Sequence, residues 1–313
     1  MAQKNRTITA EDLYKFRLVT DARISPDGKQ AIMAVQRIEQ KTEKKYTNLW
    51  LVSTTGGRPQ QFTYGDQTDT MPRWSANGRF LAFLSNRKDE KQMQLYIIPV
   101  DGGEARPLTD LKGNISGFSW SPDGKTLLCT FQKKDAAAIA REEDEQKKKL
   151  GIVSRHVTTR TFFKYDGVGY LPDERQHIWT INVKTGKATQ LTDGPIHNEA
   201  DATWTPDGQT IAFVSNRSAA PDLEPDNDSL YLMPAAGGEM TQLAAPVGPK
   251  YMPAFSPNGR YLAYIVSEGQ GLWWQTASVW VAPVAGSVAA ATLPASADQT
   301  CKCTTAAASA PTS

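Results

Sequence analysis

Short apolar runs rich in β-branched and aromatic residues alternate along the chain with clusters of turn-forming residues. Runs of five to eight such residues between turn signals predict β-strands. The clearest of them lie at 79–85, 126–131, 210–215 and 260–267. An aromatic-containing segment precedes each run, and a third apolar segment follows it. The pattern therefore predicts groups of consecutive antiparallel strands.

One turn sequence recurs five times, between the first and second predicted strand of each group. Its copies begin at Ser25, Ser75, Ser121, Thr205 and Ser256, and all end in glycine. In the fullest form, Ser-Pro-Asp-Gly, proline presets φ at the second position and glycine accepts a positive φ at the last. This chemistry predicts tight hairpins.

A second turn, usually Gly-Gly, leads to a short closing segment that ends in Leu-Thr or a similar pair. We expect the closing strands to end at 62–63, 108–109, 191–192 and 243–244. Four strands per unit and unit lengths of about 45–50 residues are typical of β-propeller blades. The predicted fold is therefore all-β, a propeller with about five four-stranded WD40-like blades.

The repeat is interrupted once. The turn glycines stand at 28, 78, 124, 208 and 259, so their spacings are 50, 46, 84 and 51 residues. The long spacing places an insertion at about 132–165, and residues 132–150 are rich in helix formers and in charges of both signs. Runs of mixed charge usually form a solvated helix or loop. The alternative interpretation is a flap over the propeller face.

Several segments resemble the N-terminal propeller of prolyl-oligopeptidase-family serine peptidases, in the acylaminoacyl-peptidase or dipeptidyl-peptidase-like branch. They are the opening Thr-Ala-Glu-Asp-Leu at 9–13, Lys-Tyr-Asp-Gly-Val-Gly-Tyr at 164–170 after the charged insertion, and Phe-Val-Ser-Asn-Arg at 213–217. The resemblance spans roughly residues 8–284. It implies a propeller that limits access to a C-terminal α/β-hydrolase domain carrying a Ser/Asp/His triad, so that peptides are favoured over folded proteins.

The nucleophile motif of that family has no counterpart in this sequence. No serine has glycine at both the second position before it and the second position after it, as the Gly-x-Ser-x-Gly elbow requires. No catalytic residue is therefore assigned, and we expect this chain alone to be inactive. Its expected role is the substrate-gating part of a peptidase that cleaves short peptides or acylated amino-terminal residues.

The character of the sequence changes after Val284. We expect residues 1–285 to form the propeller and residues 286–313 to be a low-complexity tail, because alanine, serine, threonine and proline cannot build a core. The repeat stops where a closing strand is due. We therefore expect the tail to be disordered or non-native, the product of a frameshift or a premature end. Cys301-Lys302-Cys303 lies within it and lacks the further ligands that a zinc site needs.

Composition narrows the function classes. The formal net charge is +2 and no basic stripe is evident, which argues against a nucleic-acid binder. Three cysteines do not make a disulfide framework. The N-terminus lacks an apolar signal core and no run is long enough to span a membrane, so we expect a cytoplasmic protein. No cofactor or metal motif is present.

Candidate site residues come from the segment after the insertion. Arg160, Lys164, Tyr165 and Asp166 are candidates for a substrate-facing loop, and a structural strand with glycine turns is the competing interpretation. The acidic pair at 142–143 lies within a run of mixed charge, which favours a solvated surface. Surface or edge positions are expected for His177 and His197.

Two further expectations concern partners. The alternative function is a stand-alone propeller of the TolB type that acts as a protein-interaction scaffold. If the blades form an open arc, unpaired strand edges favour self-association. In the peptidase interpretation, the partners are a peptide substrate and the hydrolase domain.

Overall fold

The computed structural model describes residues 7–150, 161–166, 169–267, 269, 276–284 and 291–292. The main architecture is five sheets, each of four antiparallel strands in sequence order. Blade 1 contains β1 to β4 (Leu18–Ile24, Gln30–Ile38, Lys45–Ser53 and Gln60–Gln61). Blade 2 contains β5 to β8 (Asp69–Trp74, Phe80–Ser85, Gln94–Pro99 and Arg106–Pro107).

Blade 3 carries the insertion between its second and third strands. Its sheet contains β9 (Gly113–Trp120), β10 (Thr126–Lys133), β13 (Gln176–Asn182) and β14 (Ala188–Gln190). Between β10 and β13 lie two short helices and a separate two-stranded hairpin, namely α1 (Ala136–Glu143), α2 (Glu145–Lys149), β11 (Lys164–Tyr165) and β12 (Gly169–Tyr170).

The last two blades return to the uninterrupted pattern. Blade 4 contains β15 to β18 (Glu199–Trp204, Thr210–Ser215, Ser229–Pro234 and Thr241–Leu243). Blade 5 contains β19 to β22 (Lys250–Phe255, Tyr261–Val266, Ser278–Pro283 and Ala291–Thr292). A 3₁₀ helix (Ala10–Lys15) precedes blade 1. The predicted all-β propeller of four-stranded blades, with a helical insertion, is confirmed.

The five recurring turns share one hydrogen-bond pattern, which explains why their sequence recurs. In the first copy the Ser25 hydroxyl donates to Asp27 Oδ1 at 2.6 Å, and Lys29 N donates to the same oxygen at 3.1 Å. Gly28 N donates to Ser25 O at 2.9 Å, and Gly28 has φ of 73°. The predicted positive φ is found at all five turn glycines, between 68° and 73°.

The closing strands end earlier than their sequence predicts. β4 stops at Gln61 and β8 stops at Pro107, just before the expected Phe-Thr and Leu-Thr pairs. A side chain replaces the missing ladder bond, because the Thr63 hydroxyl accepts from Leu49 N at 2.9 Å. The same bond recurs from Leu95 N to Thr109 Oγ1 and from Ile178 N to Thr192 Oγ1.

The hydrophobic core lies between neighbouring blades. We call the face of a blade that is turned towards the preceding blade its leading face, and the face that is turned towards the following blade its trailing face. Between blades 1 and 2, Ile32 and Leu49 of the trailing face meet Leu81 and Phe83 of the leading face, all of them 0% exposed. Full burial of one such side chain contributes about 1.5–3 kcal/mol. Three similar clusters join blades 2 to 5.

The two ends of the sheets carry different connections. The five recurring turns lie at one end, which we call the turn face. The insertion and the connections between second and third strands lie at the other end, the insertion face. Among the helices within the described ranges, none has the length and apolar character to cross a membrane.

Candidate functional site

A cleft of about 540 Å³ opens on the insertion face. It lies where β10, the β11–β12 hairpin and the first strands of blades 4 and 5 approach one another. Its walls combine apolar side chains with amides and charged groups. The lining residues are Gln132, Phe162, Leu171, Pro172, Ile196, Asn198, Ala200, Asp201, Val214, Ser215, Asn216, Pro221, Asp222, Pro225, Asp228, Lys250 and Tyr251.

A buried lysine forms part of the cleft wall. Lys250 begins β19 and is 3% exposed. Its Nζ donates to the carbonyl oxygens of Asp228 at 2.7 Å and Gly248 at 3.0 Å. Burial lowers the pKa of Lys250, although the nearby Asp228 carboxylate opposes the shift. Burial also raises the pKa of Asp228. The two ionisable groups thus share a poorly solvated corner of the cleft.

Asp201 lies at a bulge in the first strand of blade 4. Its φ is 51°, a left-handed conformation that aspartate adopts more readily than most residues. The pairing register between β15 and β16 shifts between Ala200 and Thr203. Asp201 Oδ2 accepts a hydrogen bond from Met252 N at 2.8 Å. This contact joins the first strands of blades 4 and 5 at the cleft.

Met71 and Met252 occupy the matching bulges of blades 2 and 5, with φ of 53° each. Because the bulge recurs at one level of the propeller, it is a feature of the repeat. The aspartate at this position in blade 4 is what makes the local chemistry different. It supplies a carboxylate where the two matching positions carry a thioether.

Tyr251 provides an exposed aromatic surface beside these charges. Its side chain is 44% exposed. Partial burial raises its pKa, and the carboxylates of Asp228, Asp226 and Asp201 add to the shift. The phenol therefore stays protonated at neutral pH and offers a hydrogen-bond donor at the rim.

A buried polar cluster supports the floor of the cleft. Glu199, 0% exposed, accepts from His177 Nδ1 at 2.8 Å, from the Thr192 hydroxyl at 2.7 Å and from Arg217. His177 Nε2 lies 3.1 Å from Gly194 O. Both ring nitrogens therefore face acceptors. Asn198 and Ala200, on either side of Glu199, line the cleft, so this cluster holds the cleft wall in place.

The expectation of a surface or edge position for His177 is wrong, because the residue is 5% exposed. His177 lies in β13 in register with Phe131, and the cluster gives its ring polar partners inside the blade junction. His197 is partly buried, with Nε2 3.1 Å from Ser218 O.

A related acid and arginine pair occurs in blade 2. Arg87 donates to both carboxylate oxygens of Asp69 at 2.9 Å, and Asp69 is 0% exposed. Arg87 and Arg217 both follow a Ser-Asn pair whose serine ends the second strand. The repeated Ser-Asn-Arg sequence is therefore a structural signature of these blades.

Three of the four sequence-predicted site residues fall on the β11–β12 hairpin. Arg160 lies outside the described residues. Lys164 and Tyr165 form β11, and Asp166 follows it in the turn. Lys164 Nζ lies 5.7 Å from the centre of the Tyr170 ring, and Asp166 is exposed.

The base of the hairpin, rather than its tip, reaches the cleft. Phe162, Leu171 and Pro172 line it, whereas Lys164 and Asp166 are not part of its described lining. Phe162 N donates to Asp222 Oδ2 at 3.4 Å, which ties the hairpin to blade 4. The strand interpretation of 164–165 matches the observed hairpin; substrate contact by these residues stays a prediction.

Sequence reasoning did not identify Asp201, Asp228 or Lys250. Asp228 belongs to the Asn-Asp-Ser-Leu segment at 227–230 that resembles the peptidase family, but the resemblance gave it no role. The methionine-proline pairs at 71–72 and 252–253 were the available signal for the bulge. The methionines occupy the same bulge position in blades 2 and 5 that Asp201 occupies in blade 4.

The cleft is built for binding by shape and charge. Its Ser215 hydroxyl is already used within the fold, donating to Asn198 O at 2.8 Å and accepting from Arg217 Nε at 3.0 Å. Within the described residues, no group of three or more His, Cys, Asp or Glu residues could hold a metal ion. Apolar walls with a few oriented polar groups are typical of sites for small ligands and peptide segments.

Known proteins with similar sequences include peptidases. The chain is 33% identical over 229 residues to the uncharacterized peptidase YuxL of Bacillus subtilis, an alignment that covers 73% of this chain and 34% of the relative. It is 30% identical over 293 residues to dipeptidyl-peptidase 5 of Porphyromonas gingivalis, covering 89% of this chain and 41% of the relative.

The fold is shared with a solved peptidase structure. An acylaminoacyl peptidase of Pyrococcus horikoshii superposes with a TM-score of 0.65 at 18% sequence identity, covering 86% of this chain and 39% of that chain. The chain thus spans between a third and about two fifths of the length of these relatives.

The family itself follows from a match over the first half of the sequence. The family model described as the TolB beta propeller domain matches residues 4–160. Five four-stranded blades with one recurring turn agree with that description. The chain therefore belongs to the TolB beta propeller domain family.

Proposed function

We propose that this chain is the propeller portion of a serine peptidase and controls which peptides reach the catalytic domain. The observation that carries the proposal is the 30% identity to a dipeptidyl-peptidase over 89% of this chain. The substrates we propose are short peptides or peptides with acylated amino-terminal residues. The catalytic partner is an α/β-hydrolase domain, and the chain alone is inactive.

The cleft on the insertion face is the proposed contact with the peptide. Its apolar wall from Phe162 and Leu171 suits side chains. Asn198, whose side-chain oxygen accepts from Gln176 N at 2.8 Å, presents its amide N–H groups to a peptide backbone. Asp201, Asp228 and Lys250 supply fixed charges. These groups come from blades 4 and 5 and from the insertion, so the cleft depends on the assembled propeller.

Peptide binding by the full chain tests the proposal. A library of fluorescent tetrapeptides is titrated by anisotropy, and the best binder is measured again with Tyr251→Ala and Asp228→Asn variants. We expect each variant to weaken binding about tenfold, which corresponds to about 1.4 kcal/mol. The control is Tyr64→Ala, since Tyr64 is 71% exposed on blade 1 and does not line the described cleft.

Equal weakening by the control variant, or no binding by any peptide, contradicts the cleft assignment. A separate assay addresses inactivity, in which the purified chain is incubated with fluorogenic dipeptidyl and acyl-amino-acid substrates. Turnover that a serine-directed inhibitor abolishes contradicts the proposed division between gating and catalysis.

A second candidate is a TolB-like interaction scaffold, and the family match to the TolB beta propeller domain favours it. In that case the chain binds a folded protein rather than short peptides. Affinity purification that recovers one stoichiometric protein partner, together with no peptide binding, distinguishes the scaffold from the peptidase portion.

A further inference from the structure

Every internal contact between blades is formed by the same two kinds of surface. The trailing face of blade 4 supplies Ala212, Val214 and Leu230, which pack on Leu262 and Tyr264 from the leading face of blade 5. All five are at most 3% exposed. The interface is apolar, and it repeats between each successive pair of blades.

Blade 1 presents a leading face of the same kind that no other blade covers among the described residues, although the 3₁₀ helix contacts β2. In blade 2, the cross-strand pair Phe83 and Tyr96 forms the centre of the leading face. The matching pair in blade 1 is Met33 and Trp50, and both are only partly buried. Ile24, at the end of β1, is 59% exposed.

Blade 5 presents the complementary trailing face. The residue that matches the fully buried Leu230 of blade 4 is Val279, which is 37% exposed. Ala263 and Ile265 match Ala212 and Val214 and are likewise only partly buried. The trailing face of blade 5 therefore carries apolar residues at the same positions that in the preceding blades pack on a leading face.

No strand of blade 1 packs extensively on a strand of blade 5 within the described residues. The outer edges of the blades are poor templates for strand pairing, because β4 and β8 have two residues each and β8 contains Pro107; short edges and proline prevent such pairing. The faces rather than the edges are thus available for association.

We propose that a second copy of this chain docks its blade 1 on blade 5 of the first, forming a head-to-tail contact that reproduces the internal interface between blades. The partner is specified by the chain itself, because each copy carries one leading and one trailing face of matching chemistry. Such a contact is heterologous, and it propagates unless the ring closes.

Two charge-introducing variants test this proposal. Ile24→Asp disables the leading face and Val279→Asp disables the trailing face, and both residues are exposed in the single chain, so the fold is kept. Light scattering after size exclusion follows the mass from about 1 µM to about 1 mM, the range in which exposed apolar surface drives association. The wild type should associate, and each variant alone should be monomeric.

Mixing the two variants is the decisive measurement. Each retains one intact face, so an equimolar mixture should form a dimer with one copy of each variant and grow no further. Leu223→Asp, at a site 69% exposed in blade 4, is the control and should associate like the wild type. Circular dichroism verifies that every variant is folded.

Three results overturn the proposal. They are a monomeric wild type over the whole concentration range, single variants that associate as strongly as the wild type, and a mixture that stays monomeric. A monomeric wild type would indicate that other residues of the chain cover the end faces. Single variants that still associate would indicate association through strand edges or through another surface.

Discussion

The position of Lys250 depends on the residue two places before it. Gly248 supplies one of the two carbonyl oxygens that hold the ammonium group, at 3.0 Å. Its φ is 129°, and a Cβ atom there would lie 2.0 Å from Ser267 O. Only glycine satisfies both the backbone angle and the close approach. One glycine therefore places the buried charge of the cleft.

Alanine substitutions at two glycines separate the free-energy cost of the positive φ from the cost of the steric clash with Ser267 O. Gly238 has nearly the same φ, 126°, with no atom within 4 Å of its ideal Cβ position. We expect Gly238→Ala to lose about 1–2 kcal/mol from left-handed strain alone. Gly248→Ala should lose roughly 2 kcal/mol more, because the chain must move to admit the methyl group.

Urea unfolding of both variants measures the difference, and the peptide affinity reports on the cleft. Gly238→Ala serves as the matched control, since it lies on the turn face. Equal destabilisation by the two substitutions would contradict the proposed role of Ser267 O.

In the recurring turn, aspartate and asparagine make the same hydrogen bonds at the third position. Asp27 and Asn77 occupy the same turn position, and each accepts from a serine hydroxyl and from a backbone N–H. Asn258 makes the same two bonds in blade 5. The aspartates differ in being ionisable, so the turns of blades 1, 3 and 4 contribute a pH dependence that those of blades 2 and 5 do not.

The direction of this dependence follows from the pKa shifts. Hydrogen bonds from Ser25, Ser121 and Thr205 lower the pKa values of Asp27, Asp123 and Asp207 below their usual 3.8. A group with a lowered folded-state pKa stabilises the fold above its unfolded-state pKa, and that contribution is lost as the pH falls through the folded-state value. The triple variant with asparagine at these three positions should lose less stability on acidification than the wild type.

Urea unfolding at about pH 6 and about pH 3 measures this difference in slope. Asn77→Asp with Asn258→Asp is the converse control and should steepen the loss. Parallel profiles for all three proteins would contradict the assignment of acid sensitivity to the turns.

The sequence predicts these elements well because their information is local. Each turn and its flanking strands occupy a contiguous segment, so proline, aspartate and glycine at fixed positions are sufficient to place them. The cleft is different. Asp201, Asp228 and Lys250 come from separate strands, and their proximity depends on how blades 4 and 5 pack. The burial of His177 has the same origin, because its partner Glu199 lies in the next blade.

At the scale of the whole molecule, the insertion adds a wall to the cleft without belonging to the repeat. β10 and β13 pair continuously up to Gln132 and Gln176, so blade 3 is complete without the residues between them. The insertion contributes Phe162, Leu171 and Pro172 to the lining. Removal of the insertion should therefore leave the fold intact and abolish peptide binding.

Replacing residues 134–174 with Asn-Gly should preserve the fold and abolish peptide binding. A two-residue Asn-Gly loop suits the twist of an antiparallel hairpin, and the cleft loses one apolar wall. Circular dichroism and urea unfolding assess the fold, and fluorescence anisotropy measures the affinity. Phe162→Ala in the full chain is the milder control, expected to weaken binding in part. Unchanged affinity in the shortened chain would place the peptide elsewhere.

The same insertion has a consequence for the order in which the blades form. In blade 2 the second and third strands meet at Ser85 and Gln94, whereas in blade 3 they meet at Gln132 and Gln176. Loop-closure entropy rises with the logarithm of loop length, so the longer connection costs about 1.5 kcal/mol more. During synthesis, the chain that leads to β13 also emerges late. Blade 3 should therefore mature after blade 2 by a longer delay than blade 2 follows blade 1, and folding should pause at the centre of the arc.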